Sequence, residues 1–264
     1  MSFLVVSVAA LAILILTYGI TFVVGRRIGR YNVVDVTWGL GFVVVAAVAA
    51  VLGDGDPLRR LLLLALVAVW GIRLAWHIVN KSAGKGEDPR YGRLLKGDFS
   101  TLNVLRKIFA VQTGAAWFIS LPLQLSAVLG PTPTTLLPVL IAGVLVWLVG
   151  MLFEAVGDRQ LREFKADPAH EGVIMDGGLW AWTRHPNYFG DAAVWWGLWL
   201  VTISGLPSLS TVLSPVAMTY FLVYATGARP TELIMADRHG FSEYRSRTSF
   251  FVPRPPKKRE SRVT

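Results

Sequence analysis

The chain alternates long uncharged stretches with short basic ones, and most of the uncharged stretches are too long for ordinary core helices. A membrane-crossing helix takes about 20 mostly apolar residues. Phe3–Val24 carries no charge and predicts the first span. It is too long for a signal-peptide core and has no basic region before it, so it reads as a retained span. Val33–Gly53 predicts the second, with Asp35 near its start, and Leu61–Asn80 the third, carrying Arg73 and His77. Ile108–Phe153 then runs without a charge for about twice the length that one crossing needs. Gly130-Pro131-Thr132-Pro133 divides it, which predicts spans four and five. Ala192–Ala228 is likewise uncharged and breaks near Ser204-Gly205-Leu206-Pro207, predicting spans six and seven. The expected fold is all-α: a single seven-helix membrane domain over residues 1–264.

Charge then orients the spans. Cytoplasmic loops are enriched in Lys and Arg. All of the 26 Lys and Arg residues except Arg59, Arg60 and Arg73 sort to the odd-numbered loops and the C-terminal tail. The N-terminus is therefore expected outside and the C-terminus in the cytoplasm. The basic end Pro253–Arg259 reads as an anchor on anionic lipid.

Composition agrees with the pattern. Hydrophobic residues make up 53% of the chain and charged ones 16%. A soluble domain averages about 25% charged, so this chain cannot cover a globule in water. The net charge of +9 comes from residues between apolar spans, which points to the membrane surface rather than to nucleic acid. No obligate protein partner is implied. The absence of cysteine excludes disulfides, thiolate metal sites and a cysteine nucleophile. No stretch reads G-x-G-x-x-G, as a Walker loop or as G-x-S-x-G. His77, His170, His185 and His239 are scattered, with no metal-binding spacing.

Polar residues within spans are costly and mark function by default. They concentrate at the expected cytoplasmic ends, while the outer loops are short and nearly featureless. Three clusters stand out there. On a helix, Glu154, Asp158 and Arg162 share one face at i,i+4 steps, as two acceptors and a cation for ribose hydroxyls and a phosphate. The plainer reading is a solvated ion-paired face. The second cluster is Gly177–Asp191, where Arg184 and His185 suit a phosphate and Asn187 a carboxamide. Pro186 suits a first helical turn, whose free N–H groups favour an anion. An interfacial aromatic belt accounts for the tryptophans but not for the packed Arg-His-Pro-Asn. The third runs from Arg229-Pro230-Thr231-Glu232 to Asp237–Thr248, a juxtamembrane segment that also holds Tyr244.

These stretches carry a resemblance. Gly157-Asp-x-Gln-Leu161, Gly178-Leu-Trp-x-x-Thr-Arg-His-Pro-Asn-Tyr-Phe-Gly190 and Glu243-Tyr-x-x-x-Thr248 resemble bacterial membrane proteins related to the C-terminal domain of 3-oxo-5-alpha-steroid 4-dehydrogenases. So do Asp35–Gly39 and Gly84–Tyr91. The likeness to the bacterial group covers nearly the whole chain, and the likeness to the steroid reductases themselves lies in residues 150–255. It implies seven helices, a cytoplasmic C-terminus, a bacterial inner membrane, and NADPH-dependent reduction of a conjugated carbon–carbon double bond. The substrate class it implies is a lipid or steroid-like small molecule reached through membrane lipids. Carried over by motif, it makes Asp158, Arg162, Lys165, Asn187, Asp191, Arg229 and Tyr244 candidates for the nucleotide. Glu154, Arg184, His185 and Tyr188 join them from the reading above.

Two departures are visible: Glu154 stands where the reductases have asparagine, and Asp191 where they have glutamate. The reductases' ketone-polarising pair comes from early spans. Here Tyr91 is the first candidate for the acid, held by Glu87 or Asp88, with Asp35 next. Arg-His-Pro-x-Tyr also resembles isoprenylcysteine carboxyl and phospholipid methyltransferases, which bind S-adenosylmethionine. A non-enzymatic lipid-binding protein that keeps the fold is the third expectation.

Overall fold

The structure, a computed structural model, describes residues 2–256, and those residues are helical with no β-strand among them. In chain order the helices are α1 (Phe3–Ile28), α2 (Val34–Leu52), α3 (Pro57–Ser82), α4 (Pro89–Leu95), α5 (Thr101–Val104), α6 (Ala110–Ile119), α7 (Leu121–Ser126) and α8 (Leu137–Ala166). They continue as α9 (Leu179–Trp182), α10 (Pro186–Thr202), α11 (Leu206–Leu209), α12 (Leu213–Tyr220), α13 (Ala228–Met235) and α14 (Phe241–Arg247). Five helical stretches are long and apolar enough to cross a membrane: Phe3–Ile28, Val34–Leu52, Pro57–Ser82, Thr134–Ala166 and Leu206–Met235. The chain is a multi-pass, all-helical membrane protein.

The predicted fourth and sixth spans fall on shorter helices. α5 and α6 are joined by a π-helical turn, Leu105–Phe109, and the run breaks at Ser120 before Pro122 of α7. α10 has 17 residues. Both expected interruptions are present: Gly130–Pro133 and Ile203–Gly205 lie outside helices. Of the basic tail, Lys257, Lys258 and Arg259 lie outside the described residues.

The helices group into two compact units. The first comprises the chain up to Leu140 together with Leu198–Ser214. Its helix ends follow local chemistry. Asp56 caps α3, accepting from Arg59 N with Pro57 in the first turn, and α1 stops at Gly29, whose φ of 73° a side chain would strain. α2 and α3 touch through glycines: a Cβ on Gly39 would stand 2.6 Å from Gly71 O. Phe42 and Trp70, both fully buried, pack beside that contact with ring centroids 5.7 Å apart. Elsewhere Val6, Ala49 and Ala127 form a small buried cluster.

The start of α3, a region the sequence suggests is nearly featureless, holds a buried arginine. Arg59 is 2% exposed and donates to Ser126 Oγ at 2.8 Å, Thr132 Oγ1 at 2.9 Å, Leu129 O at 2.8 Å and Gly130 O at 2.9 Å. It closes the turn after α7 over the start of α3.

The second unit comprises Ile141–Gly197 and the chain from Pro215 onward. Its spine is an antiparallel crossing of α8 and α10 along glycines. Gly143, Gly150 and Gly157 recur every seventh residue of α8. A Cβ on Gly197 would lie 2.7 Å from Gly143 O, one on Gly150 2.6 Å from Gly190 O, and one on Gly157 3.1 Å from the Pro186 ring. Small residues at such steps let helix backbones approach closely. This seam sets the Arg-His-Pro-Asn stretch against the polar end of α8.

Candidate functional site

Chemistry-bearing side chains gather in two places, one in each unit. In the first unit the loop after α3 folds back on the start of α2. Glu87 accepts from the backbone N–H groups of Tyr31 and Asn32, the latter at 3.0 Å, and Asn32 Nδ2 donates to Gly86 O at 3.1 Å. The carboxylate thus satisfies two donors of the turn that leads into α2, and its charge complements the helix dipole. Asp88 then caps α4 through Arg90 N at 2.8 Å.

The α4 turn carries Arg90 and Tyr91 to Asp35. Tyr91 Oη donates to Asp35 Oδ1 at 2.6 Å, and Arg90 Nη2 donates to Asp35 Oδ2 at 3.1 Å while its Nε holds Asp88 Oδ2 at 3.0 Å. Each Asp35 oxygen thus has its own donor. Burial and the neighbouring Asp35 charge push the Tyr91 phenol well above its ordinary range. Burial works against the Asp88 carboxylate, yet the Arg90 hydrogen bonds and charge prevail and hold it below the usual range. Burial also disfavours the Arg90 cation, and Asp88 and Asp35 outweigh it, so Arg90 is held charged more firmly than usual.

This corrects the expectation that Glu87 or Asp88 holds Tyr91. Glu87 is engaged at the α2 N-terminus, Asp88 pairs with Arg90, and Asp35 is the phenol's partner. Asp35 and Tyr91, read from sequence as alternatives, form one unit. Arg90 was counted from sequence only as a topology charge; its place directly before Tyr91 was the available signal.

In the second unit, α8 and the Gly177–Asp191 stretch meet at the glycine seam. Trp180 Nε1 donates to Gly157 O at 3.0 Å, and Gln160 Oε1 accepts from Leu179 N at 3.0 Å. Gly178, at φ 57°, leaves room for that glutamine. Asn187 Nδ2 donates to Asp158 Oδ1 at 3.0 Å. Glu154, Asp158 and Asp191 are buried, whereas Arg162 and Lys165 are exposed, so the face predicted for Glu154, Asp158 and Arg162 passes from interior to surface. An i,i+4 ion pair on this helix joins Arg159 and Glu163 at 2.8 Å.

Arg184 and His185 do not stand open to a phosphate. Arg184, 8% exposed, donates from Nε to Glu232 Oε1 at 2.6 Å, and from Nη1 to Arg245 O at 3.1 Å and to Thr248 O. His185 Nε2 lies 3.2 Å from the same Glu232 oxygen, and its ring stacks on Tyr188. Tyr244, also buried, donates from Oη to Trp180 O at 2.7 Å, and burial pushes its phenol above the ordinary range. The Arg-His pair is thus a latch that fastens α13, α14 and the Thr248 turn onto the α9–α10 corner. Glu232, which the sequence analysis left without a role, is its centre. Arg229 is exposed and lies over the Tyr224 ring at 4.5 Å, just past a π-helical turn, Phe221–Ala225.

Among the described residues no group of three His, Cys, Asp or Glu could hold a metal ion. No curated protein and no solved structure shows a match to the chain. A family does: residues 21–248 match DUF1295, described as a protein of unknown function, and the match takes in both clusters. The chain belongs to the DUF1295 family.

Proposed function

We propose that this protein is a membrane-embedded, NADPH-dependent reductase of a conjugated carbon–carbon double bond in an apolar enone, such as a steroid-like or lipid ketone. In this reading seven segments span a bacterial inner membrane, with the N-terminus outside and the C-terminus in the cytoplasm. The observation that carries it is the Tyr91–Asp35 pair, a buried phenol at 2.6 Å from a carboxylate with Arg90 on the far oxygen.

The donor set of the second unit fits the nucleotide in part. Asp158 and Asn187 offer an acceptor and an amide for ribose hydroxyls and a carboxamide. The exposed cations Arg162, Lys165 and Arg229 suit the phosphates. Arg184, His185 and Tyr244 serve as positioning residues, because their polar atoms already hold the latch. When bound, NADPH supplies a hydride to the β-carbon of the enone.

The chain's own residues handle the other half of the reaction. A phenol has one hydrogen to donate and lone pairs to accept with. Tyr91 turns that hydrogen to the substrate carbonyl, and Asp35, once it has taken a proton from water, donates to the phenol oxygen in its place. Charge growing on the carbonyl oxygen as the hydride arrives meets a donor held in position. The Tyr91 proton passes to the carbonyl oxygen and gives the enol, which becomes the saturated ketone as the α-carbon takes a proton from water and the oxygen returns one. Tyr91 recovers its proton from Asp35, and Asp35 from water. Arg90 keeps the second Asp35 oxygen fixed throughout.

Titrating the full-length protein in detergent with NADPH, NADH and S-adenosylmethionine tests the reading. Tight binding of NADPH alone, followed by enone-dependent oxidation of it, is expected. Binding of S-adenosylmethionine in its place overturns the reductase in favour of a methyltransferase, and binding of neither leaves a lipid-binding role. A reporter fused at the C-terminus should be active in the cytoplasm and one inserted after Thr132 in the opposite compartment.

A further inference from the structure

The first unit contains a cleft of about 420 Å³, lined among others by Thr21 and Val24 of α1, Val36 and Thr37 of α2 and Val79 of α3, with Arg30 just past the end of α1. That volume lies in the range of small-molecule sites, about 300–1,000 Å³. The cleft is separate from the Asp35–Tyr91 pair. Residues 33, 36 and 37 line it and share one side of α2, and Asp35 falls on the other.

Its interior asks for hydrocarbon. The Thr21 hydroxyl donates to Thr17 O at 2.9 Å, so the 2.7 Å contact between Thr21 and Thr37 is donated by Thr37. Both hydroxyl hydrogens are thereby satisfied within the chain. Val24 and Val79 are about half exposed, so the cleft opens outward, and around a multi-pass protein that exterior is lipid.

Its basic end asks for an anion. Arg30 Nη1 donates to Lys85 O at 2.6 Å and to Ser82 O at 3.4 Å, which fixes the guanidinium at the cleft. Nε and Nη2 make no hydrogen bond among the described residues. Lys85 is exposed on the loop after α3, and the nearest acid of that loop, Glu87, is engaged at the α2 N-terminus. An acyl chain with a neutral head would leave Arg30 and Lys85 unmatched, and a soluble anion would leave the apolar walls uncovered.

We propose that this cleft binds one acyl chain of an anionic phospholipid, whose headgroup phosphate sits on Arg30. Occupancy is independent of nucleotide and of any enone, so it stands or falls apart from the reductase reading. Native mass spectrometry of the full-length protein, released from detergent with equal amounts of phosphatidylglycerol and phosphatidylcholine of the same chains, tests it. The wild type should retain one phosphatidylglycerol, preferred by about tenfold or more. Phosphatidylcholine offers the same phosphate but adds a quaternary ammonium that cancels its charge, and Arg30 and Lys85 each favour net anionic lipid by about fivefold, or about 1 kcal/mol. Arg30→Gln should narrow that preference severalfold, and Val36→Trp, which fills the cleft, should lose both lipids. Equal retention of the two lipids by the wild type overturns the proposal, as does retention of a free fatty acid instead, or a Val36→Trp protein that holds phosphatidylglycerol like the wild type. The wild-type comparison decides the matter even if a variant does not fold.

Discussion

Arg184 Nε donates to Glu232 Oε1 at 2.6 Å across 48 positions of sequence, and both side chains are largely buried, at 8% and 14% exposure. Removing one partner of such a pair leaves the other charge buried and unmatched, at a cost of about 3–5 kcal/mol. Arg184→Gln and Glu232→Gln should each lower thermal stability by an amount of that order. The double variant should cost less than the two added together, because the stranded charge is gone. Thermal unfolding in detergent reads all three. Additive losses would show that the pair does not act as one latch.

Tyr91→Phe keeps the ring in its buried place and removes only the hydroxyl. A donor aimed at a developing oxyanion is worth about 10²–10³ in turnover. The variant should lose activity by that factor and keep its NADPH affinity. Turnover at the wild-type rate on an identified enone would dismiss Tyr91 as the donor.

Nucleotide preference follows from the exposed cations. Arg229 lies on the surface with its guanidinium over Tyr224, available to a phosphate. Losing one charge-assisted contact costs about 1.5–3 kcal/mol, so Arg229→Ala should weaken NADPH about ten- to a hundredfold. Comparable affinity of the wild type for NADH and NADPH would leave the 2′-phosphate without a site.

The glycine seam predicts a steric penalty. A methyl group on Gly150 would meet Gly190 O at 2.6 Å, and backbone cannot swing aside as a side chain can. Overpacking of this kind costs about 1–3 kcal/mol. Gly150→Ala should therefore unfold earlier on heating, whereas Gly114→Ala, with nothing within 4 Å, should not.

Alkaline titration follows from two of the three buried phenols, those outside the spans. Tyr91 and Tyr244 are both raised above the ordinary tyrosine value of about 10. A raised folded value means that the native state keeps its proton after the unfolded chain has lost it. The stability tied to these phenols is fully present below pH about 10 and is lost as the pH climbs beyond it. Phenolate absorbance should place Tyr91 and Tyr244 among the late tyrosines, and the late group should shrink by one in Tyr91→Phe. If all tyrosines ionise together near pH 10 while the protein is still folded, the phenols are not held as described.

The apolar runs made the helices and their breaks legible, because span length and Gly-Pro punctuation are local properties. Asp35 and Tyr91 were each legible as candidates, but their pairing depends on a loop turning back over 56 positions. The Arg-His-Pro-Asn stretch was visible as unusual, and its reading as a phosphate site failed to foresee Glu232, since nothing local says which acid a buried arginine will find. The glycines of α8 stand open to inspection at their seven-residue step, and only their packed partners Gly197, Gly190 and Pro186 give that step a meaning. Arg59 was hardest of all: it stands in the first turn of α3 beside two acids and is satisfied mostly by backbone carbonyls.

That arginine also sets an order of assembly. The groups that receive its donors, from Ser126 Oγ to Thr132 Oγ1, come 67 to 73 positions later in the chain. At roughly 5–20 residues per second of synthesis, α3 stands for several seconds with a bare guanidinium at its end. The first three helices alone are thus an unfinished object, recognisable as such by a guanidinium whose hydrogen-bond acceptors have not yet been made. A nascent chain halted before Ser126 should be held by the insertion machinery or degraded, and one that has passed Thr132 should be released.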